Sequence, residues 1–118
     1  MAEGAIEVRF HNCREGGGGG DLRTCLLELQ GEWVPLLPID SWSDRTARAV
    51  DGRRLALVRW DGEASPWSAF RVFVLDLDLR LVVRGPHVEG RCEALWFSDD
   101  GTLWWRTTDG AIGRVDGH

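Results

Sequence analysis

Cysteine and histidine are the side chains in this sequence best suited to bind a metal ion. His11 and Cys13 are two residues apart, so on a β-strand they share a face, and Cys25 would lie near them if the first two strands pair. Structural zinc sites use four ligands with closely spaced pairs, and the sequence contains no Cys-x-x-Cys. We therefore expect no metal site and predict that Cys13, Cys25 and Cys92 are reduced, structural thiols.

Four aspartates are close enough in the sequence to suggest acid–base pairs: Asp76 with Asp78, and Asp99 with Asp100. Catalytic carboxylates need different environments, because one must hold its proton while the other stays ionised. Asp100-Gly101 instead has the composition of a tight turn, and the first pair stands at the end of an apolar run. We interpret all four as turn or strand-end residues.

The sequence shows no nucleophile with an identifiable base. There is no Gly-x-Ser-x-Gly, and His87 lies in a Gly-Pro-His segment that is typical of a turn. The run Gly16–Gly20 lacks the Lys-Ser/Thr ending and the following helix of a phosphate-binding loop, so we expect a flexible hairpin tip there. These features predict that the protein is not an enzyme and uses no cofactor.

Tryptophan is the remaining residue type with a clear binding capacity, and the chain has seven. Trp42 and Trp67 lie in polar, loop-like settings; each is either an exposed contact residue for a protein or a sugar, or folds back over the core. Trp104 and Trp105 are adjacent on a predicted strand, so they point to opposite faces, and Arg106 follows them. We select these five residues as candidates for contact with a partner.

The composition indicates a folded, acidic domain. The chain has 118 residues, 43% of them hydrophobic, which suits one domain. Its formal net charge of −5 disfavours nucleic acid as a partner and favours a basic protein. All 14 basic residues are arginine, as expected from a GC-rich bacterial genome.

We find no segment that would direct the chain to a membrane. Residues 1–7 lack the basic stretch and the following apolar stretch of a secretory signal. No apolar run approaches the roughly 20 residues that span a bilayer. A cytoplasmic location without a membrane partner is therefore the expectation.

Short apolar runs bounded by Gly, Asp and Pro predict strands throughout the chain. The expected strands are Ala5–Cys13, Leu22–Gln30, Trp33–Leu37, Ala47–Val50, Arg53–Arg59, Phe70–Leu77, Arg80–Val83, Arg91–Ser98, Thr102–Thr107 and Ala111–Val115. The segment Asp40–Ala49 suggests one short helical turn. Consecutive strands with short connections predict an all-β fold, an antiparallel β-meander of about ten short strands in a single domain.

One sequence pattern occurs twice, at Ala49–Gly62 and at Phe97–Gly110. Each copy contains an Asp-Gly turn, a short apolar strand and a second Asp-Gly turn. Asp-Gly supplies the positive φ angles that tight hairpins need. Together with Phe70–Asp78 and Ala94–Trp104, these segments resemble blades of TolB-like and WD40-like β-propellers.

The resemblance implies two to three blades, which are too few to close a propeller within one chain. Residues 1–40 would form N-terminal hairpins, residues 43–84 a first blade-like unit and residues 91–116 a second. Either subunits complete a ring together, or the meander stays open with an unsatisfied apolar face at its ends. An exposed apolar face of that kind usually marks an interface.

Small, acidic, tryptophan-rich chains of this composition also resemble the immunity proteins of polymorphic toxin systems. That resemblance implies a non-enzymatic protein-binding module that occludes a partner protein, often a basic nuclease. Two alternatives stay open: a small lectin-like protein that binds carbohydrate and completes a propeller by oligomerisation, and a structural scaffold subunit. The expected partner is another protein or a second copy of this chain.

Overall fold

Antiparallel strands form the regular structure in the computed structural model, which describes residues 6–15, 23–62 and 68–115. The nine strands in these ranges are β1 (Ile6–Glu15), β2 (Arg23–Gly31), β3 (Trp42–Arg48), β4 (Arg54–Trp60), β5 (Ala69–Asp76), β6 (Leu81–Glu89), β7 (Cys92–Phe97), β8 (Leu103–Thr107) and β9 (Ile112–Val115). The predicted all-β antiparallel meander is confirmed, and it is not closed into a barrel. Within the same ranges no helix is long and apolar enough to cross a membrane.

The strands form two sheets in which each strand pairs with the next one in the chain. Strands β1 to β6 make a six-stranded sheet, and β7 to β9 make a three-stranded sheet. The chain leaves the first sheet at Gly90, whose φ of 109° suits glycine far better than a residue with a side chain. This break separates residues 92–115 from the rest of the meander.

Strand β4 lies at the centre of the fold. Its residues Leu55, Ala56, Leu57 and Val58 have no accessible surface, although successive side chains of a strand point to opposite faces. Both faces of the sheet region formed by β3–β6, here called the central sheet, are therefore covered. An uninterrupted apolar run is the sequence pattern that a strand covered on both faces requires.

The first face of the central sheet packs against the three-stranded sheet. The core cluster between these layers contains Ala56, Val58, Trp60, Phe70, Val72, Val74, Cys92, Leu103 and Val115. Phe70 of β5 and Trp105 of β8 meet edge to face, with ring centroids 5.6 Å apart and planes at 83°. Aromatic pairs favour this arrangement, so the contact links the two layers directly.

The second face packs against the β1–β2 hairpin. This hairpin belongs to the six-stranded sheet, but it joins β3 through the pair Cys25–Trp42 and folds over the central sheet. Its core cluster contains Ile6, Leu27, Trp42, Leu55, Leu57, Phe73, Leu75 and Leu77. Trp33 and Leu37 pack against this cluster from a segment that lies in no ladder. The predicted strand Trp33–Leu37 is therefore wrong, because Pro35 and Pro38 cannot donate to a ladder and the segment runs over the core instead.

The predicted helical turn over Asp40–Ala49 is also wrong, because this segment contains strand β3. Ser41 has a φ of 71° and turns the chain into the strand. Trp42 then lies opposite Arg59 of β4 in the ladder. This polar segment forms a strand because β4 offers it a pairing partner, a long-range contact that its own pattern does not reveal.

Two of the cysteines are joined across the first hairpin. Cys13 of β1 forms a disulfide with Cys25 of β2, at a sequence separation of 12. The bridge lies where the β1–β2 ladder shifts register, between His11 and Arg14. The expectation of reduced thiols is therefore wrong for this pair, because strand pairing brings together two sulfur atoms that are distant in the sequence. Cys92 is a buried free thiol, and burial raises its pKa to about 12, which keeps it protonated and unreactive.

We predict one titratable thiol per chain after unfolding in denaturant without reductant, and three after reduction. The bridged pair offers no free thiol, whereas unfolding exposes Cys92. A thiol reagent applied to protein purified without reductant measures the count. The control variant Cys92→Ala should give none before reduction. Three thiols in the unreduced wild-type protein would contradict the bridge.

Gly113 of β9 lies under the indole of Trp105, its ladder partner in β8. A Cβ atom built at Gly113 would come within 2.2 to 2.7 Å of three indole carbons. We predict that Gly113→Ala lowers the free energy of unfolding by about 1–3 kcal/mol, because the ring must leave its place against Phe70. Urea denaturation measures the change.

The matched control for this substitution is a double-mutant cycle. If the collision with the ring is the cause, Gly113→Ala combined with Trp105→Leu should cost less than the sum of the two single changes. A Gly113→Ala protein as stable as the wild type would show that the ring does not depend on this glycine.

Candidate binding face on the three-stranded sheet

Strand β8 carries three of the residues selected from the sequence, and strand alternation divides them between two faces. Trp105 points inward and packs on the first core cluster, between the buried residues Leu103 and Thr107. Trp104 and Arg106 point to the opposite side, away from both core clusters. The sheet therefore brings Trp104 and Arg106 together and separates them from Trp105.

Cross-strand pairing adds side chains from β7 and β9 to the same surface. Trp104 lies between Trp96 of β7 and Arg114 of β9 in the ladder. The next row of this surface runs from β7 to β9 through Ala94, Arg106 and Ile112. We call the six residues of these two rows the outer face.

The outer face is apolar and cationic, and it lies outside the core. None of its six residues belongs to either core cluster or packs against one as a partly buried hydrophobic residue. The indoles of Trp96 and Trp104 are partly exposed, and Ile112 is 58% exposed. Contiguous apolar side chains that the core does not use are typical of an interaction site.

Hydrogen bonds fix the orientation of the Trp104 indole. Trp104 Nε1 donates to Ser98 Oγ at 3.2 Å, and Ser98 Oγ donates to Asp100 Oδ1 at 2.5 Å. The backbone amide of Thr102 donates to the same carboxylate oxygen at 3.0 Å. The bonds from Ser98 and then Thr102 hold the pKa of Asp100 below its usual value. The carboxylate therefore stays ionised at neutral pH and continues to accept both bonds.

An ion pair orients Arg106 on the same face. Arg106 Nε donates to Glu93 Oε2 at 3.2 Å, and both side chains are 46% exposed. A pair this exposed contributes little to the stability of the fold. Its effect is to hold the guanidinium group on the outer face.

The other two residues selected from the sequence do not join the outer face. Trp42 is 0% exposed; its Nε1 donates to the Pro38 carbonyl at 2.8 Å, and its ring meets Phe73 edge to face at 5.1 Å. Of the two readings that its sequence setting leaves open, folding back into the core is the one observed, so Trp42 has no surface to offer a partner. Trp67 lies outside the described residues.

Sequence reasoning missed the β7 and β9 members of the outer face, although the hairpin turns carried a signal for them. Residues at equal distances from a tight turn lie opposite each other. Counting outward from Asp100 places Trp96 opposite Trp104, and counting from Asp109 places Arg114 opposite Trp104, as observed.

His87 is held between two carboxylates in β6, so its predicted place in a turn is wrong. Its Nδ1 lies 2.8 Å from Asp61 Oδ2, and its Nε2 lies 2.5 Å from Glu89 Oε2. Arg71 also approaches Asp61, at 3.4 Å. The hydrogen bond to Asp61, and then that to Glu89, raises the pKa of His87. Both ring nitrogens are therefore engaged by carboxylates within the fold.

The aspartates of the hairpins hold their turns. Asp76 Oδ1 accepts the backbone amides of Asp78 and Leu79, and Asp100 Oδ1 accepts that of Thr102. Aspartate favours turns because its side chain satisfies nearby amides in this way. In the part of the chain that the structure describes, no group of three or more His, Cys, Asp or Glu side chains could hold a metal ion.

Comparison with known proteins finds no relative. No protein-family model matches the sequence, and neither a curated protein nor a solved structure matches the chain. The resemblance to propeller blades and to immunity proteins therefore stays a prediction from the sequence.

We predict that His87 titrates with a midpoint above its usual value of 6.5. Asp61 and Glu89 stabilise the protonated ring in the folded state, so the folded pKa exceeds the unfolded one. The stability gained is fully present below about pH 6.5 and is lost as the pH rises through the raised pKa. NMR of the ring protons measures the midpoint. Asp61→Asn should lower it, and a wild-type midpoint at or below 6.5 would rule out this arrangement.

Proposed function

We propose that this protein is a non-enzymatic protein-binding module that contacts a partner protein through its outer face. The observation that carries the proposal is the pairing of Trp96 with Trp104 beside Arg106, outside both core clusters. Tryptophan and arginine are enriched among the residues that dominate binding energy at protein interfaces.

The fixed orientation of two side chains on the outer face supports this proposal. Ser98 fixes the ring of Trp104, and Glu93 fixes the guanidinium group of Arg106. Side chains that are already ordered lose less conformational entropy on binding, so more of the contact energy appears as affinity.

The outward surface of the β1–β2 hairpin, which covers the second face of the central sheet, differs from the outer face in composition. On β1 the outward residues Glu7, Arg9 and His11 are exposed and polar, and Arg9 pairs with Glu7 at 2.5 Å. That pattern is typical of a solvated sheet face. The contrast favours the outer face of β7–β9 as the binding surface.

The proposed partner is a basic protein whose functional surface this module covers, in the manner of an immunity protein and its toxin. The net charge of −5 favours encounter with a positively charged protein. At close range the indoles of Trp96 and Trp104 supply apolar and stacking contacts to that partner. Glu93 places a carboxylate at the same surface.

We predict that Trp104→Ala weakens partner binding by about 2 kcal/mol or more, roughly 30-fold in Kd, because it removes a central aromatic contact. Immobilised wild-type protein would first capture the partner from an extract of the source cells. Mass spectrometry would identify the partner, and calorimetry would then give Kd for each variant. Far-UV circular dichroism would check that the variant is folded.

Leu36→Ala is the matched control for this experiment. Leu36 is 100% exposed, and its neighbour Leu37 packs on the second core cluster. Leu36 therefore lies on the side of the central sheet opposite the outer face. This variant should bind like the wild type. Unchanged binding by Trp104→Ala, equal losses in both variants, or no captured protein would each contradict the proposal.

Carbohydrate is the second candidate ligand. Two neighbouring indoles beside the charged pair Glu93–Arg106 combine a stacking surface with hydrogen-bonding groups, as sugar sites require. A glycan array probed with the wild type and with Trp104→Ala distinguishes the two. Glycan binding that is lost in the variant would assign the outer face to a sugar instead of a protein.

A further inference from the structure

We infer that a cavity between the two layers of the first core cluster binds a small zwitterion, an α-amino acid with an apolar side chain. In the part of the chain that the structure describes, this cavity has a volume of about 330 Å³, at the lower end of the range for ligand sites. It lies between the central sheet and the three-stranded sheet, beside the Asp100-Gly101 turn. This inference does not depend on the proposed partner protein.

Apolar side chains form the floor of the cavity. On the central sheet they are Val74 and Val83, which lie opposite each other in the β5–β6 ladder. On the three-stranded sheet they are Phe97, Leu103 and Val115, which form one row of its ladders. All five belong to the first core cluster or pack against it. An apolar side chain of a ligand would extend that core and lose its contact with water.

Two opposite charges lie directly opposite each other beside this floor, and they do not pair. Arg54 of β4 is the ladder partner of Asp76 of β5, and both residues line the cavity and are partly buried. Opposite charges in such a position usually attract each other, yet the guanidinium nitrogens and the carboxylate oxygens lie more than 4.0 Å apart. A partly buried charge without an ion-pair partner is costly. Each of the two groups can therefore gain from an opposite charge on a ligand.

Other contacts hold the two charged groups apart. Arg54 Cζ lies 5.1 Å from the ring centroid of Phe97. Gly101 leaves room for the guanidinium group, because a Cβ atom there would come within 2.8 Å of Arg54 Nη2. Asp76 Oδ1 accepts two backbone amides of the following turn, and neither bond uses Oδ2. Both groups are thus oriented before a ligand binds, which reduces the entropy that binding costs.

The charges of the cavity favour a zwitterion. A guanidinium group has only donors and binds a carboxylate through two parallel bonds, whereas a carboxylate accepts bonds from an ammonium group. Asp100 and Arg114 also line the cavity, so its lining carries two charges of each sign. A ligand with one charge alone would leave Arg54 or Asp76 without a partner. At roughly 30 Å³ for each water-sized group, the cavity holds about ten non-hydrogen atoms, which is the size of free leucine.

Titration of the wild-type protein with free leucine tests the site without any variant. Calorimetry should give a Kd of about 1 mM or below, and NMR should show shifts of the backbone amides of Val74, Val83 and Leu103. Isocaproate lacks the ammonium group of leucine and isoamylamine lacks its carboxylate, so each should bind at least tenfold more weakly. Unshifted cavity amides at about 10 mM leucine, or binding of either analogue as tight as that of leucine, would overturn the inference.

Two substitutions that each remove one charge give a second test. Arg54→Met keeps an apolar chain on the Phe97 ring, and Asp76→Asn keeps a side-chain oxygen for the turn amides. Each should raise the Kd for leucine at least tenfold. Arg53→Met is the matched control and should bind like the wild type, because the Arg53 side chain is 67% exposed and does not line the cavity. Wild-type affinity in either charge variant, or an equal loss in Arg53→Met, would contradict the assignment.

Discussion

The burial of β4 on both faces is the constraint on which the rest of the structure depends. Its residues 55–58 are apolar and fully buried, and neighbouring strands cannot cover them because they extend the sheet sideways. The chain must therefore add a layer on each side. One layer is the β1–β2 hairpin, which joins β3 through the single pair Cys25–Trp42 and so can fold over the sheet. The other is the separate sheet β7–β9.

Each covering layer gives one face to the core and leaves the other outside, and the two outside faces differ. The hairpin turns charged residues such as Glu7 and Arg9 outward. The three-stranded sheet turns Trp96 and Trp104 outward, although Trp105 already serves the core. Core packing therefore accounts for Trp105, whereas the outward placement of Trp96 and Trp104 is the basis of the proposed binding role.

Three of the side chains that the sequence offered for chemistry are held by hydrogen bonds or by burial in the part of the chain that the structure describes. His87 is fixed between Asp61 and Glu89, Asp100 accepts bonds within its own turn, and burial keeps Cys92 protonated. The proposed binding role uses the residues that remain, the aromatic and cationic side chains of the outer face.

The sequence by itself determined most of the strands, the turns at Asp100-Gly101 and Asp109-Gly110, and the opposite orientation of Trp104 and Trp105, because turns and alternation depend on residues that are close in the chain. Tertiary structure decided the strand at β3, the burial of Trp42, the bridge between Cys13 and Cys25, and the assembly of the outer face. Each of these needs a partner from a distant segment, and local patterns do not specify which distant segments meet.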